Sequence, residues 1–310
     1  MSFKIPHPPT RNAPISDLSD FLELMCIANG QEYSIVNGTK KIAYGSDEID
    51  NEGVESDDDV IYNKLQDALN EIDQRKQRSN NRYPFSTTNN SVIINPNYNS
   101  KSNTYWCYLF LLFATRNNMS KDKVKKKIDG TLLFEELSAL IVKEYWGDRS
   151  ESFVFGTATS GGFREKIENV ISKIKEGKNY KSPEGTTNDE KDGGLDIVVW
   201  KHFADKRKSK LVGFGQCKTG TEWYSYLGSL VAPNAFCGTY LAETLVLDPV
   251  KIFFTSDVCV SNYEKIVRSV GLLFDRCRLM DYLPNKIPQD LIRKIKTWTR
   301  QSITDFRNTM

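Results

Sequence analysis

The stretch DGGLDIVVWKHFADKRKSKLVGFGQCKTG, residues 192–220, decides the fold of the chain. It contains two apolar runs, residues 195–200 and 211–217, joined by a polar segment rich in lysine. Short runs rich in valine and aromatic residues, separated by a polar connection, are typical of adjacent β-strands. The sequence therefore predicts a strand pair with a basic connection.

Polar side chains are expected to converge at one end of this strand pair. Side chains alternate between the two faces of a strand, so Gln216 and Lys218 share a face and Cys217 points into the opposite layer. Asp196 can place a carboxylate beside them from the neighbouring strand. Carboxylate oxygen binds Mg²⁺, lysine can neutralise transition-state charge, and Gln216 and the Cys217 carbonyl offer neutral oxygen ligands. The trio suits phosphodiester hydrolysis.

Apolar residues recur at helical spacing through much of the remaining chain, and short apolar runs lie between these segments. Helices are predicted at residues 16–28, 61–72, 105–114, 131–146, 163–174, 262–270 and 290–306, and further strands at 153–155, 250–255 and 271–274. Helices that alternate with buried strands indicate an α/β domain with a mixed central sheet.

Two polar segments interrupt this pattern in the N-terminal third. Residues 47–59 contain eight carboxylates and no basic residue, which is typical of a solvated loop. The alternative is an acidic mimic that occupies the protein's own DNA groove. Residues 77–102 are rich in asparagine and serine and form either a loop or a weak hairpin.

Composition limits the class of protein. The chain has 310 residues, 39% of them hydrophobic, and a net charge of +2, so it can bury a core. Its six cysteines form no CxxC pair, as expected of free thiols in the cytoplasm. The first ten residues lack the apolar segment of a secretion signal. The longest apolar run, residues 105–114, is about half of the ~20 residues that a membrane span needs, and predicts a buried helix.

The motif GGLD followed by QCK resembles the Mrr-type branch of the PD-(D/E)XK restriction-endonuclease superfamily. In that branch glutamine replaces the usual acidic residue before x-Lys. The core of the branch begins with a helix that carries Phe-Glu, and Phe134-Glu135 in TLLFEELSALIVKEYWG matches this position. The resemblance covers about residues 131–283. It implies a mixed central sheet flanked by helices, in a nuclease domain at residues 119–310 behind a mostly helical region at residues 1–118.

The resemblance also implies a set of functional residues. Glu135 would be the helix carboxylate, with Glu136 as its rival. The implied catalytic residues are Glu135, Asp196, Gln216 and Lys218, and the implied metal ligands are Asp196, Gln216, Cys217 and Glu135. Members that resemble this chain cut DNA in restriction, anti-phage defence or repair and use Mg²⁺, for which Mn²⁺ is expected to substitute.

The basic connection between the two strands is a candidate DNA-binding loop. Lys206, Arg207 and Lys208 are expected to contact phosphates, although a merely solvated loop has the same composition. Residues 121–127, KDKVKKK, are the next candidate.

The alternative function is a non-catalytic DNA-binding or regulatory subunit that docks to a helicase or ATPase. No Walker motif is present, so ATP-driven movement would need such a partner, and a homo-oligomer is left open.

Overall fold

Helices and strands alternate along the chain, as the apolar periodicity predicts. The computed structural model describes residues 2–43, 54–156, 161–183, 194–229 and 232–309. Its helices are α1 (Ile15–Asn29), α2 (Ile35–Ala43), α3 (Val54–Arg78), α4 (Asn103–Arg116), α5 (Gly130–Trp146), α6 (Phe163–Ile174), α7 (Pro233–Tyr240), α8 (Tyr263–Val270), α9 (Arg276–Asp281) and α10 (Gln289–Arg307), with 3₁₀ turns at Pro96–Tyr98 and Glu222–Ser229. Its strands are β1 (Glu32–Ser34), β2 (Phe85–Thr87), β3 (Ser91–Ile94), β4 (Val124–Lys125), β5 (Ile128–Asp129), β6 (Ser150–Val154), β7 (Ile197–Lys201), β8 (Leu211–Lys218), β9 (Val250–Thr255) and β10 (Leu272–Phe274).

A five-stranded mixed sheet, in the order β10-β9-β8-β7-β6, lies at the centre of the α/β part. Strands β6, β7 and β8 are antiparallel, whereas β8, β9 and β10 are parallel. Buried side chains of one sheet face pack with α4, α5 and α10, and those of the other face pack with α6, α7 and α8. The mixed α/β class predicted from the sequence is confirmed.

The N-terminal third departs from its prediction at the acidic stretch. Residues 44–53 lie outside the described residues, but from Val54 onward the chain belongs to α3, so the later part of the expected acidic loop is helical. The segment at 77–102 does form a hairpin, because β2 pairs antiparallel with β3, and β1 pairs with β3 on its other side.

The hydrophobic core does not divide at residue 118, where the sequence places a domain boundary. Buried residues of α1 and α4 belong to the same cluster as Ile197 and Phe254 of the sheet and Trp298 of α10. The run at 105–114 is buried within α4, as predicted. Among the described residues, no helix is both long and apolar enough to cross a membrane.

A buried ionic cluster also crosses this boundary. The carboxylate of Asp20 in α1 accepts hydrogen bonds from Arg75 of α3 (2.6 Å), Arg116 of α4 (2.6 Å) and Arg276 of α9 (2.8 Å). All four side chains are fully buried. Burial acts to raise the pKa of Asp20, but the three guanidinium groups lower it well below its ordinary value. Removal of one partner from such a cluster would leave an uncompensated buried charge.

Candidate active site at the end of strand β8

Asp196 lies beside the end of β8 and is held there by main-chain bonds. Ile197 pairs with Gly215, and the N–H of Asp196 donates to the carbonyl of Gly215 (3.0 Å). Its carboxylate Oδ2 accepts a hydrogen bond from the N–H of Cys217 (2.7 Å). The register of β7 and β8 therefore places the carboxylate against the last residues of β8, as the sequence predicts. Asp192, in the same motif, lies outside the described residues.

Glu135 reaches the same region from helix α5. Its carboxylate lies against Gly156, where a Cβ atom would stand 2.1 Å from Glu135 Oε2. Gly156 is itself joined to the strand pair, because its N–H donates to the carbonyl of Asp196 (3.3 Å). A side chain at position 156 would therefore displace the Glu135 carboxylate from this place.

The structure separates Glu135 from its rival Glu136. The Oε2 of Glu136 is 4.0 Å from Lys294 Nζ on α10, and burial raises the pKa of this carboxyl. Adjacent helix positions point about 100° apart, so only one of the two can face the end of β8. That residue is Glu135.

The two carboxylates act on one common neighbour, Cys217. Burial raises the pKa of its thiol well above the ordinary value, and the charges of Asp196 and Glu135 raise it further. The contacts agree with this direction, because the Cys217 N–H donates to Asp196 and Cys217 lines the same cleft as Glu135.

Lys218 lies in a cleft at this end of the sheet. The cleft has a volume of about 360 Å³ and is lined by Glu135, Cys217 and Lys218. Lys218 Nζ stands 5.3 Å from the centroid of the Tyr226 ring, within the range of a cation–π interaction. The other lining residues are Lys4, Asn117–Ser120, Thr131, Phe134, Thr219–Trp223 and Tyr226. A cavity of this size is typical of ligand sites.

Gln216 has a different environment from Lys218, although the sequence places both on one face. It is 8% exposed and lines a separate small hollow with Leu195, Phe214 and Phe253. Position 216 lies inside the strand, paired with Phe253 of β9, while Lys218 ends the strand and can extend into the cleft. Among the described residues, the Oε1 atom of Gln216 has no hydrogen-bond partner.

The basic connection lies at the other end of the β7–β8 hairpin. Asp196 precedes β7 and Lys218 ends β8, whereas residues 202–210 join the opposite ends of these strands. Five strand residues at ~3.3 Å each separate the two ends by roughly 17 Å. Arg207 and Lys208 form exposed ion pairs with Asp205 (2.8 Å) and Glu243 (3.4 Å). The separation of the basic loop from Asp196 and Lys218 could be predicted from the sequence, because the loop of a hairpin lies at the end opposite to the free ends of its two strands.

Sequence reasoning missed the contributions of Lys4, Glu222 and Tyr226 to the cleft. Nothing in the sequence pattern indicates that Tyr226 contributes to the cleft. For Lys4, the only indication is that the apolar residues Phe3 and Ile5 on either side can anchor the segment. Trp223, which also lines the cleft, is a packing residue, since it is 1% exposed. The chain matches no protein-family model, no curated protein and no solved structure. What can be inferred about its function therefore depends on the geometry of this site.

Proposed function

We propose that the chain is a Mg²⁺-dependent deoxyribonuclease that hydrolyses phosphodiester bonds in the cleft at the end of β8. One observation carries the proposal: Asp196 accepts a hydrogen bond from the N–H of Cys217 at the end of β8, where Glu135, Cys217 and Lys218 line an open cleft. Two carboxylates and an ammonium group at one point suit a reaction in which negative charge builds up on a phosphate.

The donor atoms suit Mg²⁺ because this ion is held by one or two carboxylates together with water and substrate phosphate. The described residues contain no group of three or more His, Cys, Asp or Glu side chains that could hold a metal ion. A site here would therefore use Glu135, Asp196 and the backbone oxygen of Cys217, with Gln216 contributing only after moving. A bound divalent cation would polarise the scissile phosphate and lower the pKa of a coordinated water.

The protein's own groups have separate tasks in this proposal. Lys218 binds a phosphate oxygen and neutralises charge in the transition state. The hydrogen bond from the Cys217 N–H orients the Asp196 carboxylate, and Gly156 leaves space for Glu135. We infer a setting in restriction or anti-phage defence in the cytoplasm, with Mn²⁺ as a substitute ion and a helicase or ATPase as a candidate partner.

A non-catalytic DNA-binding subunit is the second candidate. The observation in its favour is that Gln216 lines a hollow separate from the cleft, which leaves the donor set one ligand short. Such a subunit would bind duplex DNA in the same cleft without cutting it.

A plasmid-cleavage assay separates the two candidates. Supercoiled DNA is incubated with the wild type and with Lys218→Ala, in Mg²⁺, in Mn²⁺ and in EDTA. We expect the wild type to cut in either metal and not in EDTA, and Lys218→Ala to lose about 10²-fold or more of the rate. Lys40→Ala, which removes the same side chain from an exposed position of α2 outside the cleft lining, is the control and should cut normally. Full activity of Lys218→Ala would eliminate this site.

A further inference from the structure

The cleft contains a lysine from the N-terminal segment. Lys4 lines it, and the residues on either side of Lys4 are anchored. The N–H of Phe3 donates to Asp17 Oδ2 (3.3 Å), and the N–H of Ile5 donates to the carbonyl of Arg116 (3.0 Å). The Phe3 ring, which is 7% exposed, lies 4.5 Å from the Arg116 guanidinium carbon. These contacts position the segment without any contribution from the Lys4 side chain.

The Lys4 side chain is paired with Glu222 across the cleft. Lys4 Nζ lies 2.7 Å from Glu222 Oε1, and the two side chains are 32% and 70% exposed. Glu222 is also held in place, since its neighbour Trp223 is buried and donates to Asp257 Oδ2 (3.1 Å). Ion pairs this exposed contribute little to stability. The pair can therefore open without disturbing either anchored segment.

The charges that line the cleft balance one another. Lys4 and Lys218 are opposed by Glu135 and Glu222. Glu135 lies deep against Gly156, whereas Glu222 is exposed and contacts Lys4 alone among the described side chains that form ion pairs. Carboxylate and phosphate oxygens both accept charge-assisted hydrogen bonds from an ammonium group. A phosphate can thus take the place of Glu222 at Lys4.

We propose that Lys4 is a second phosphate-binding residue of the cleft. Glu222 forms an ion pair with Lys4 in the free protein, and a phosphate of the DNA backbone displaces this carboxylate when DNA binds. The inference rests on the proposed function and deepens it. It assigns the N-terminal segment a direct role in substrate binding, because Lys4 would hold a phosphate next to the one that Lys218 contacts.

Duplex-DNA affinity measured over a salt series in EDTA tests this role in the absence of cleavage. Lys4→Ala should weaken binding and lower the logarithmic salt slope by roughly 0.9, since the variant neutralises one phosphate fewer. Lys4→Arg keeps the charge and should keep the slope. Lys40→Ala, an exposed lysine of α2 outside the cleft lining, is the matched control. Glu222→Gln should tighten binding, and this gain should disappear when combined with Lys4→Ala, because the two residues are coupled.

The results distinguish this inference from the proposed function. If the wild type binds DNA with a normal salt slope and Lys4→Ala behaves like Lys40→Ala, the Lys4 role is refuted while the nuclease proposal stands. An equal gain from Glu222→Gln with and without Lys4 would also refute the pairing. A wild type that binds no DNA at any salt concentration would refute the Lys4 role, whereas the plasmid-cleavage assay in Mg²⁺ decides the nuclease proposal. Thermal unfolding of each variant should be unchanged, and Lys4→Arg provides the test should Lys4→Ala unfold early.

Discussion

The two ends of the β7–β8 hairpin carry basic residues in different environments. At one end Lys218 lines a cleft together with Glu135 of α5, and Asp196 accepts a hydrogen bond from the adjacent Cys217 N–H. At the other end the loop at 202–210 is denser in positive charge, but Arg207 is mostly exposed and pairs with its neighbour Asp205. The loop end thus carries exposed surface ion pairs, whereas the first end has charged groups that line a cleft.

The two ends differ in the convergence of side chains from separate segments more than in their density of positive charge. Charges in a loop are screened by water and salt. Lys218, by contrast, stands at the end of a buried strand, where it pairs with Thr255 of β9. We therefore expect equivalent substitutions at the two ends to have unequal effects on the rate of DNA cleavage.

The largest difference is expected for the carboxylates at the two ends. Asp196→Asn keeps an oxygen that can accept the hydrogen bond from the Cys217 N–H, but it removes the negative charge. We expect the cleavage rate to decrease by about 10²-fold or more, which is the effect of removing a group that stabilises charge in the transition state. Asp205→Asn, at the loop end, should retain the wild-type rate. Single-turnover cleavage in Mg²⁺ measures both. Equal rates for the two variants would remove the distinction between the ends.

A smaller effect is expected within helix α5. Glu135→Gln should reduce cleavage by about 10- to 100-fold, the range seen when groups that tune a metal site are removed. Glu136→Gln should have little effect, because that residue faces Lys294. The two variants are compared at several Mg²⁺ concentrations, where Glu135→Gln should need more metal. The reverse ranking would transfer the role to Glu136.

The space at Gly156 provides a test of packing at the cleft end. In Gly156→Ala the new Cβ would stand 2.1 Å from Glu135 Oε2, so the carboxylate must move. Because the displaced atoms are the far end of a flexible side chain, we expect little change in the free energy of unfolding, and a several-fold slower cleavage from the misplaced carboxylate. Gly162→Ala is the control, since a Cβ there meets no atom within 4 Å. Denaturant unfolding followed by cleavage kinetics gives both quantities, and a Gly156→Ala protein equal to the control would contradict the close approach.

The smallest effect on chemistry is expected at the basic loop. Replacement of Lys206, Arg207 and Lys208 by alanine should weaken DNA binding and lower the salt slope by roughly 0.9 for each phosphate that the loop no longer neutralises. The cleavage rate at saturating DNA should not change, because the loop lies at the far end of the hairpin. The matched variant replaces Lys121, Lys126 and Lys127, since this run follows Asn118–Ser120 of the cleft lining. An unchanged slope in the first variant and a reduced slope in the second would place the DNA along residues 121–127.

Most regular elements could be predicted from local pattern alone. The strands β7 and β8 follow from two buried apolar runs. Helix α5 follows from helical spacing that begins after Asp129, whose side chain caps the helix by accepting hydrogen bonds from the N–H groups of Thr131 and Leu132. The pairing of Asp196 with the end of β8 was also predictable, because alternation and hairpin register are properties of neighbouring residues.

Other features of the fold and of the site depend on contacts between residues that are distant in sequence. Glu135 rather than Glu136 faces the site because α5 packs with one side toward Gly156 and the other toward α10. No local signal links Asp20 to Arg276, and none directs Lys4 to the cleft.

The sequence by itself thus determined the alternation of helices and strands and the chemistry available at the end of β8. Only the tertiary structure decided which carboxylate and which lysines meet there. The physical reason is that periodicity encodes which side of an element is buried, whereas the partner on that side is chosen by packing and charge across the whole core.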